Sequence, residues 1–182
     1  LASPRARAPR TTLPSRASGP VVLAPRSSSA KRLSITSVEA RDVPGKPSGN
    51  AVVFDSAAPD ADRVLLALPN GAEDFWVLRS ERAPHNFRYR LELPKDHRLR
   101  ARGDIAEVVD GRGAIAFRTL PAIAVDGKGT KRKLSVKVEG DTATWSLDKT
   151  SLGYPAIVDP SWIYGSTWPE EAVVALNSVW LK

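Results

Sequence analysis

The two histidines are the side chains best suited to acid–base or metal chemistry in this sequence. His85 and His97 are its only imidazoles and stand 12 residues apart. A zinc site needs further His, Cys or carboxylate ligands at defined spacing, and the chain has no cysteine. A Ser-His-Asp arrangement is compatible with the composition, but the sequence has no Gly-x-Ser-x-Gly elbow. We therefore predict no metal, no cofactor and no catalytic residue, so that the chain is not an enzyme.

Four acidic residues are grouped closely enough to suggest a cation site. Asp60 and Asp62 precede one predicted strand, and Glu73 and Asp74 begin the next. Calcium takes about six to eight oxygen ligands, whereas a single Asp-x-Asp pair is common in loops. The alternative is that Asp60 caps its own turn through its side chain. We favour the turn cap over bound calcium.

An Arg-Gly-Asp triplet occupies residues 102–104 and has the form of an integrin-type adhesion motif. A turn between two strands would expose it. Glycine is also the residue that a tight turn selects, and position in a fold does not by itself make a site. We interpret the triplet as a tight turn.

Aromatic residues concentrate near the C-terminus. The last forty positions hold six aromatic residues, among them Trp145, Trp162, Tyr164, Trp168 and Trp180. Trp145 alternates with other apolar residues and is predicted to face the core. Trp162, Tyr164 and Trp168 are candidates for an exposed sugar-binding platform, because aromatic rings combine a flat apolar face with a polar edge. The alternative is that they pack against a neighbouring module that contacts residues 163–182.

The positive charge of the chain lies in its N-terminal part. The net charge is +7, and residues 1–46 alone carry nine basic and two acidic residues, so the remainder is neutral. Prolines at regular intervals predict that residues 1–33 form a disordered, extended arm. Val21-Val22-Leu23 is its one apolar cluster and could add an edge strand.

This arm would be either a solvated linker or an electrostatic tether to an anionic polymer, lipid or glycan. No aromatic residue lies among the arginines to stack on bases, which argues against nucleic acid. The basic residues of the predicted tether are Arg5, Arg7, Arg10, Arg16, Arg26, Lys31 and Arg32.

From residue 34 the sequence predicts short strands separated by turn residues. Apolar residues occupy alternate positions around Phe87–Leu93 and again around Ala143–Leu147, so one face of each strand is core and the other is wet. Asn70-Gly71 lies between two apolar runs, which is typical of a hairpin with a type I′ turn. Only residues 170–176 could form a short helix. We predict an all-β fold, an antiparallel β-sandwich with little helix.

The stretch Leu152–Trp162 contains an apolar Ala-Ile-Val run between Pro155 and Pro160. Proline is confined to the starts, edges and bulges of strands, so the stretch predicts a short strand that closes the domain. We divide the chain into the arm (1–33), a sandwich domain (34–162) and a C-terminal extension or truncated start of a following module (163–182).

An ordered series of short motifs resembles a β-sandwich module of large secreted bacterial proteins. It comprises Pro59-Asp60-Ala61-Asp62, Leu68-Pro69-Asn70-Gly71-Ala72-Glu73-Asp74, Phe87-Arg88-Tyr89-Arg90-Leu91, Asp104-Ile105 with Asp110-Gly111, Pro121 with Asp126-Gly127-Lys128-Gly129, and Tyr154-Pro155-Ala156-Ile157-Val158-Asp159-Pro160-Ser161-Trp162. That module precedes Rhs/YD repeats, Kelch-type propellers or other surface repeats. The downstream repeats are missing here, and the arginine-rich arm is not part of the pattern.

The resemblance implies a secreted or cell-envelope location and a non-catalytic structural or presentation role, with no catalytic residue to carry over. The alternative from the residues themselves is a module that binds carbohydrate or acidic polymer through the aromatics and the arm. No apolar run approaches the roughly 18 residues of a membrane span. A chain that begins Leu1-Ala2-Ser3-Pro4 is expected to be a processed product or a piece of a longer protein.

Overall fold

The structure, a computed structural model, describes residues 10–24 and 31–165. These residues form seventeen β-strands and no helix, and the paired strands run antiparallel. The strands are β1 Arg10–Thr12, β2 Val21–Ala24, β3 Leu33–Ser37, β4 Lys46–Ser48, β5 Ala51–Ala58, β6 Ala61–Leu68, β7 Gly71–Leu78, β8 Asn86–Glu92, β9 His97–Arg102, β10 Ile105–Asp110, β11 Ile115–Thr119, β12 Ile123–Asp126, β13 Lys131–Lys133, β14 Ser135–Glu139, β15 Thr142–Ser146, β16 Ala156–Asp159 and β17 Trp162–Tyr164. The predicted all-β antiparallel fold is confirmed.

The smaller sheet has six strands in the order β1-β2-β3-β8-β15-β14. Its central strands follow the predicted alternation: Phe87, Tyr89 and Leu91 of β8 are buried, and the arginines between them are exposed. Ala143 and Trp145 of β15 are buried in the same manner. The alternation arises because successive side chains of a strand point to opposite faces.

The larger sheet has eleven strands and is organised around β7. One edge of β7 pairs with β6 along its whole length, from Ala61↔Leu78 to Leu68↔Gly71. Two short strands share the opposite edge, β16 beside Trp76–Leu78 and β17 beside Gly71 and Ala72. Pro160 lies between these two strands and interrupts the ladder there, as a residue without an N–H must. β16 is therefore an interior strand, flanked by β12 and β7, and does not lie at an edge that closes the domain.

Aromatic side chains pack the two sheets against each other. Trp76 of β7 contacts Phe87 of β8 with ring centroids 5.8 Å apart, and Trp162 of β17 contacts Trp145 of β15 at 5.7 Å. The Nε1–H of Trp76 donates to the hydroxyl of Tyr89 across the same interface at 3.0 Å. Each aromatic ring pair adds about 0.5–1.5 kcal/mol beyond the burial of apolar area. The described residues thus form one sandwich with an aromatic centre.

The hairpin between β6 and β7 is confirmed, but the turn differs from the predicted type I′. Leu68 pairs with Gly71, so Pro69 and Asn70 form the loop, and neither Asn70 nor Gly71 has a positive φ. Gly71 is required for a different reason. A Cβ at this position would lie 2.1 Å from the carbonyl oxygen of Trp162 on the neighbouring strand.

The Arg-Gly-Asp triplet forms the predicted tight turn. Arg102 pairs with Ile105 in the hairpin between β9 and β10, and Gly103 has a φ of 61°. The charged ends of the triplet have partners within the protein, because Arg102 lies 3.6 Å from Glu107 and Asp104 lies 3.9 Å from Lys133.

The prediction that residues 1–33 form a disordered arm is wrong for residues 10–24. β1 and β2 extend the smaller sheet, with β2 paired to β3, and Val21 and Leu23 belong to the core. The predicted edge strand at Val21-Val22-Leu23 is present, although it is covered by β1. Ala17, between the two strands, is fully buried. We call residues 10–24 the N-terminal segment.

At the other end, the sandwich continues two residues past the predicted boundary at Trp162. β17 runs to Tyr164, and Ile163 is fully buried. The short helix predicted over 170–176 lies outside the described residues. No helix in the described part of the chain is long and apolar enough to cross a membrane.

Candidate functional site

The structure separates the three aromatic residues predicted to form a platform. Trp162 is 2% exposed and packs edge-to-face on Trp145, so its prediction as an exposed ligand-binding residue is wrong. It faces inward because β17 is a strand of the larger sheet. Tyr164 is half-buried, with its ring 5.2 Å from that of Phe117, and it lines a surface pocket. Trp168 lies outside the described residues.

This pocket, which we call the Tyr164 pocket, measures about 170 Å³. Its polar lining comes from separate parts of the chain: Lys31 precedes β3, His97 begins β9, and Asp110 ends β10. His97 and Asp110 are directly opposite in the β9–β10 pair, which is why residues 13 positions apart meet here. The pocket thus combines a cation, an imidazole, a carboxylate and an aromatic ring.

The polar groups of the Tyr164 pocket are held in place by backbone contacts. The backbone N–H groups of Ala114 and Arg112 each donate to Asp110 at 2.9 Å, and these bonds lower the pKa of Asp110. Nδ1 of His97 lies 2.7 Å from the carbonyl oxygen of Lys95. A carbonyl can only accept, so Nδ1 donates this hydrogen bond and Nε2 is the ring nitrogen left for a ligand.

The described basic residues of the predicted tether lie in separate surroundings and make different contacts. Arg16 donates to Asp42, with Nε 2.5 Å from Oδ1, and Arg32 lies 4.0 Å from Glu92. Lys31 lines the Tyr164 pocket, and Arg10 is exposed on β1. The remaining members, Arg5, Arg7 and Arg26, lie outside the described residues.

A larger cleft, which we call the arginine cleft, was not predicted from the sequence. It measures about 390 Å³ and is lined by Arg41, Ser56, Ala58, Pro59, Asp60, Arg79 and Arg82. A signal was present, because the hairpin at Asn70 brings the start of β6 beside the end of β7. Asp60 and Asp62 must therefore lie near Arg79 and Arg82. Sequence analysis recognised the acidic pair and missed the arginines.

The four acidic residues considered for calcium are divided between two places. Asp60 lies at the surface and accepts from Ser80 and Arg82 just after the end of β7, so the prediction that its side chain caps its own turn is wrong. Glu73 and Asp74 are buried on β7, at 1% and 4% exposure. Among the described residues, no group of three or more His, Cys, Asp or Glu side chains is placed to hold a metal ion.

Asp74 belongs to a buried ion pair on the inner face of the larger sheet. Nε of the fully buried Arg63 lies 2.9 Å from its Oδ1, and Nη2 lies 2.6 Å from its Oδ2. Nη1 of Arg63 donates to the carbonyl oxygen of Ala17 at 2.5 Å. Burial lowers the pKa of Arg63, but Asp74 outweighs that effect and holds it above its ordinary value.

Glu73 and Asp159 are carboxyls with raised pKa values. Burial, with a smaller contribution from Asp159, raises the pKa of Glu73 to about 7. Burial also raises the pKa of Asp159 to about 6, although Ser161 donates a hydrogen bond to it at 2.6 Å. Such shifts are frequent at catalytic sites. Neither residue lines the Tyr164 pocket or the arginine cleft.

Comparison with known proteins gives little further guidance. No protein-family model matches the sequence, and no curated protein matches it. A solved structure of a family GH92 inverting mannosidase from Bacteroides thetaiotaomicron is similar with a TM-score of 0.46 and 12% sequence identity. The match covers 93% of this chain and 28% of the mannosidase chain.

The raised pKa values predict that stability falls as the pH rises. The protonated form of Glu73 is favoured in the folded chain, so its contribution is complete below the unfolded pKa and is lost as the pH rises through about 7. Asp159 acts in the same direction up to about pH 6. We expect the two groups together to lower the free energy of unfolding by about 3–4 kcal/mol between roughly pH 5 and pH 8.

Urea unfolding at a series of pH values measures this slope. Glu73→Gln should reduce it to the smaller part that comes from Asp159, whereas Glu139→Gln, at an exposed carboxylate on β14, should leave it unchanged. A wild-type stability that is constant or rises over this range would contradict the assignment.

Proposed function

We propose that this chain is a non-catalytic structural or presentation module of a secreted or cell-surface bacterial protein. The observation that carries the proposal is that its described tryptophans and its carboxyls with raised pKa values are buried inside the sandwich. The described tryptophans, Trp76, Trp145 and Trp162, are all at most 2% exposed and pack the sheets together. The two carboxyls with raised pKa values are buried as well. Groups that would otherwise suggest binding or catalysis therefore contribute to the core.

The path of the chain at its C-terminal side supports such a role. β17 lies in the interior of the larger sheet, between β7 and β11, and the chain leaves it at Gly165 beside the Tyr164 pocket. The chain therefore continues from a strand that is paired on both edges. A neighbouring module that packs on residues 163–182 would contact the sandwich where β17 ends.

Display of an attached domain tests this role. The chain, placed between a secretion signal and a reporter domain in a bacterial host, should present the reporter on intact cells only when the sandwich folds. Trp145→Ala removes the central ring and costs about 3–5 kcal/mol, a large part of ordinary domain stability, so surface labelling should fall severalfold. Lys128→Ala, at an exposed turn residue that lines neither pocket, should leave labelling unchanged. Equal labelling with the intact chain and Trp145→Ala would contradict the proposal.

A second candidate function is the binding of carbohydrate at the Tyr164 pocket. The observation that favours it is the meeting of Tyr164, Lys31, His97 and Asp110 at one depression. These groups offer a ring face together with donors and acceptors for sugar hydroxyls. The volume of about 170 Å³ is below the roughly 300–1,000 Å³ of most ligand pockets. Such a site would contact part of one sugar ring.

An array of neutral glycans tests this second function. Any glycan that the intact chain binds should bind at least about tenfold more weakly to Tyr164→Ala, which loses the aromatic face, and to Lys31→Ala, which loses a charged donor. Lys128→Ala removes the same charge from an exposed turn and serves as the matched control. A loss in Lys128→Ala equal to that in Lys31→Ala would reject the pocket as the site.

A further inference from the structure

The arginine cleft has more positive than negative groups in its lining. Three arginines, Arg41, Arg79 and Arg82, face one lining carboxylate, Asp60. Asp62 adds a second carboxylate nearby, where it pairs with Arg79. The three arginines and the two aspartates together therefore carry a net charge of +1.

Most of the guanidinium donors of the cleft are not used within the described chain. A guanidinium has about five N–H donors. Arg82 gives two of them to Asp60, and Arg79 gives one to Asp62. No described residue accepts a hydrogen bond from the guanidinium of Arg41 or lies close enough to form an ion pair with it. Unused donors at a partly enclosed site are available to a ligand.

The aspartates hold two of the arginines in position. Asp60 is itself fixed by Ser80, whose hydroxyl donates to Oδ2 at 2.5 Å, and these contacts with Ser80 and Arg82 lower the pKa of Asp60. Asp62 accepts from the backbone N–H of Ser56 at 2.7 Å as well as from Arg79. The arginine side chains are thus oriented before a ligand arrives, which reduces the entropy cost of binding.

The remaining lining defines the chemistry of the ligand. Guanidinium groups match a carboxylate in planar geometry. Ser56 and Asp60 offer a hydroxyl and an acceptor for ligand hydroxyls, and Ala58 and Pro59 supply a small apolar wall. The volume of about 390 Å³ falls within the roughly 300–1,000 Å³ of ligand pockets. A carboxylate, several hydroxyls and a C–H face occur together in an acidic sugar.

We infer that the arginine cleft is a binding site for an acidic sugar unit of the hexuronate type. The sugar carboxylate is bound by Arg41 together with the free N–H groups of Arg79 and Arg82. Asp60 accepts from a ring hydroxyl. The inference does not depend on the structural role proposed above, nor on the Tyr164 pocket, because it uses different residues at another part of the surface.

Calorimetric titration of the intact chain with tetragalacturonate, at low ionic strength, tests the site. Arg41→Ala should weaken binding about tenfold or more, because a hydrogen-bonded charge pair is lost. The guanidinium of Arg41 has no partner among the described residues, and alanine keeps the backbone hydrogen bonds of Arg41 with Ala57 and Val43, so the variant should keep the unfolding free energy of the wild type. Arg98→Ala, at an exposed arginine on β9, makes the same change in net charge and should bind as the wild type does.

Two further ligands define what is recognised. Binding of galacturonate alone with the same loss in Arg41→Ala would support a site for one sugar unit, and binding of the tetramer alone would support one that contacts a polysaccharide chain. Equal binding of neutral maltotetraose would overturn the carboxylate assignment. An absence of binding, equal losses in Arg41→Ala and Arg98→Ala, or a loss confined to Tyr164→Ala would overturn the site itself.

Discussion

The buried contact of Arg63 with Asp74 and Ala17 is the constraint on which the sandwich depends. A guanidinium that is fully buried must have its charge and its N–H groups satisfied, since leaving either partner alone in the core costs about 3–5 kcal/mol. Arg63 meets this need with both carboxylate oxygens of Asp74, with the carbonyl of Ala17, and by lying over the ring of Trp76 at 5.5 Å. The contact joins β6, β7 and the N-terminal segment, and so fixes the smaller sheet against the larger one.

This interior arrangement determines which groups remain for function. Glu73 and Asp159 are buried near the gap between β16 and β17, where their raised pKa values make stability depend on pH. Neither residue lines the Tyr164 pocket or the arginine cleft. The surface groups that remain are held by turns and hairpin ends. The Tyr164 pocket forms where β9, β10 and β17 end or begin, and the arginine cleft forms at the turn between β5 and β6. Rigid strands thus position residues that lie on the connections, as is usual for binding sites.

Features that depend on the local alternation of apolar and polar residues could be predicted from the sequence. Features that depend on contacts between residues far apart in the chain could not. The inward faces of β8 and β15 and the position of the β6–β7 hairpin follow from neighbouring residues. Residues 10–24 look unstructured locally because of Pro14 and Pro20, and their order depends on Arg63, 46 positions beyond Ala17. Trp162 lies on a three-residue strand, too short to show an alternating pattern. The arginine cleft assembles residues from three separate segments, which no local pattern predicts.

A double-mutant cycle on Arg63 and Asp74, with the free energy of unfolding measured in urea, tests the central claim most directly. Arg63→Leu and Asp74→Leu should each destabilise the chain by about 3–5 kcal/mol, because each leaves a buried charge unpaired. The combined variant should cost less than the sum of the two by about 2–3 kcal/mol, since neither charge then remains. Single costs below about 1 kcal/mol that add without coupling are the behaviour of exposed ion pairs and would contradict the account.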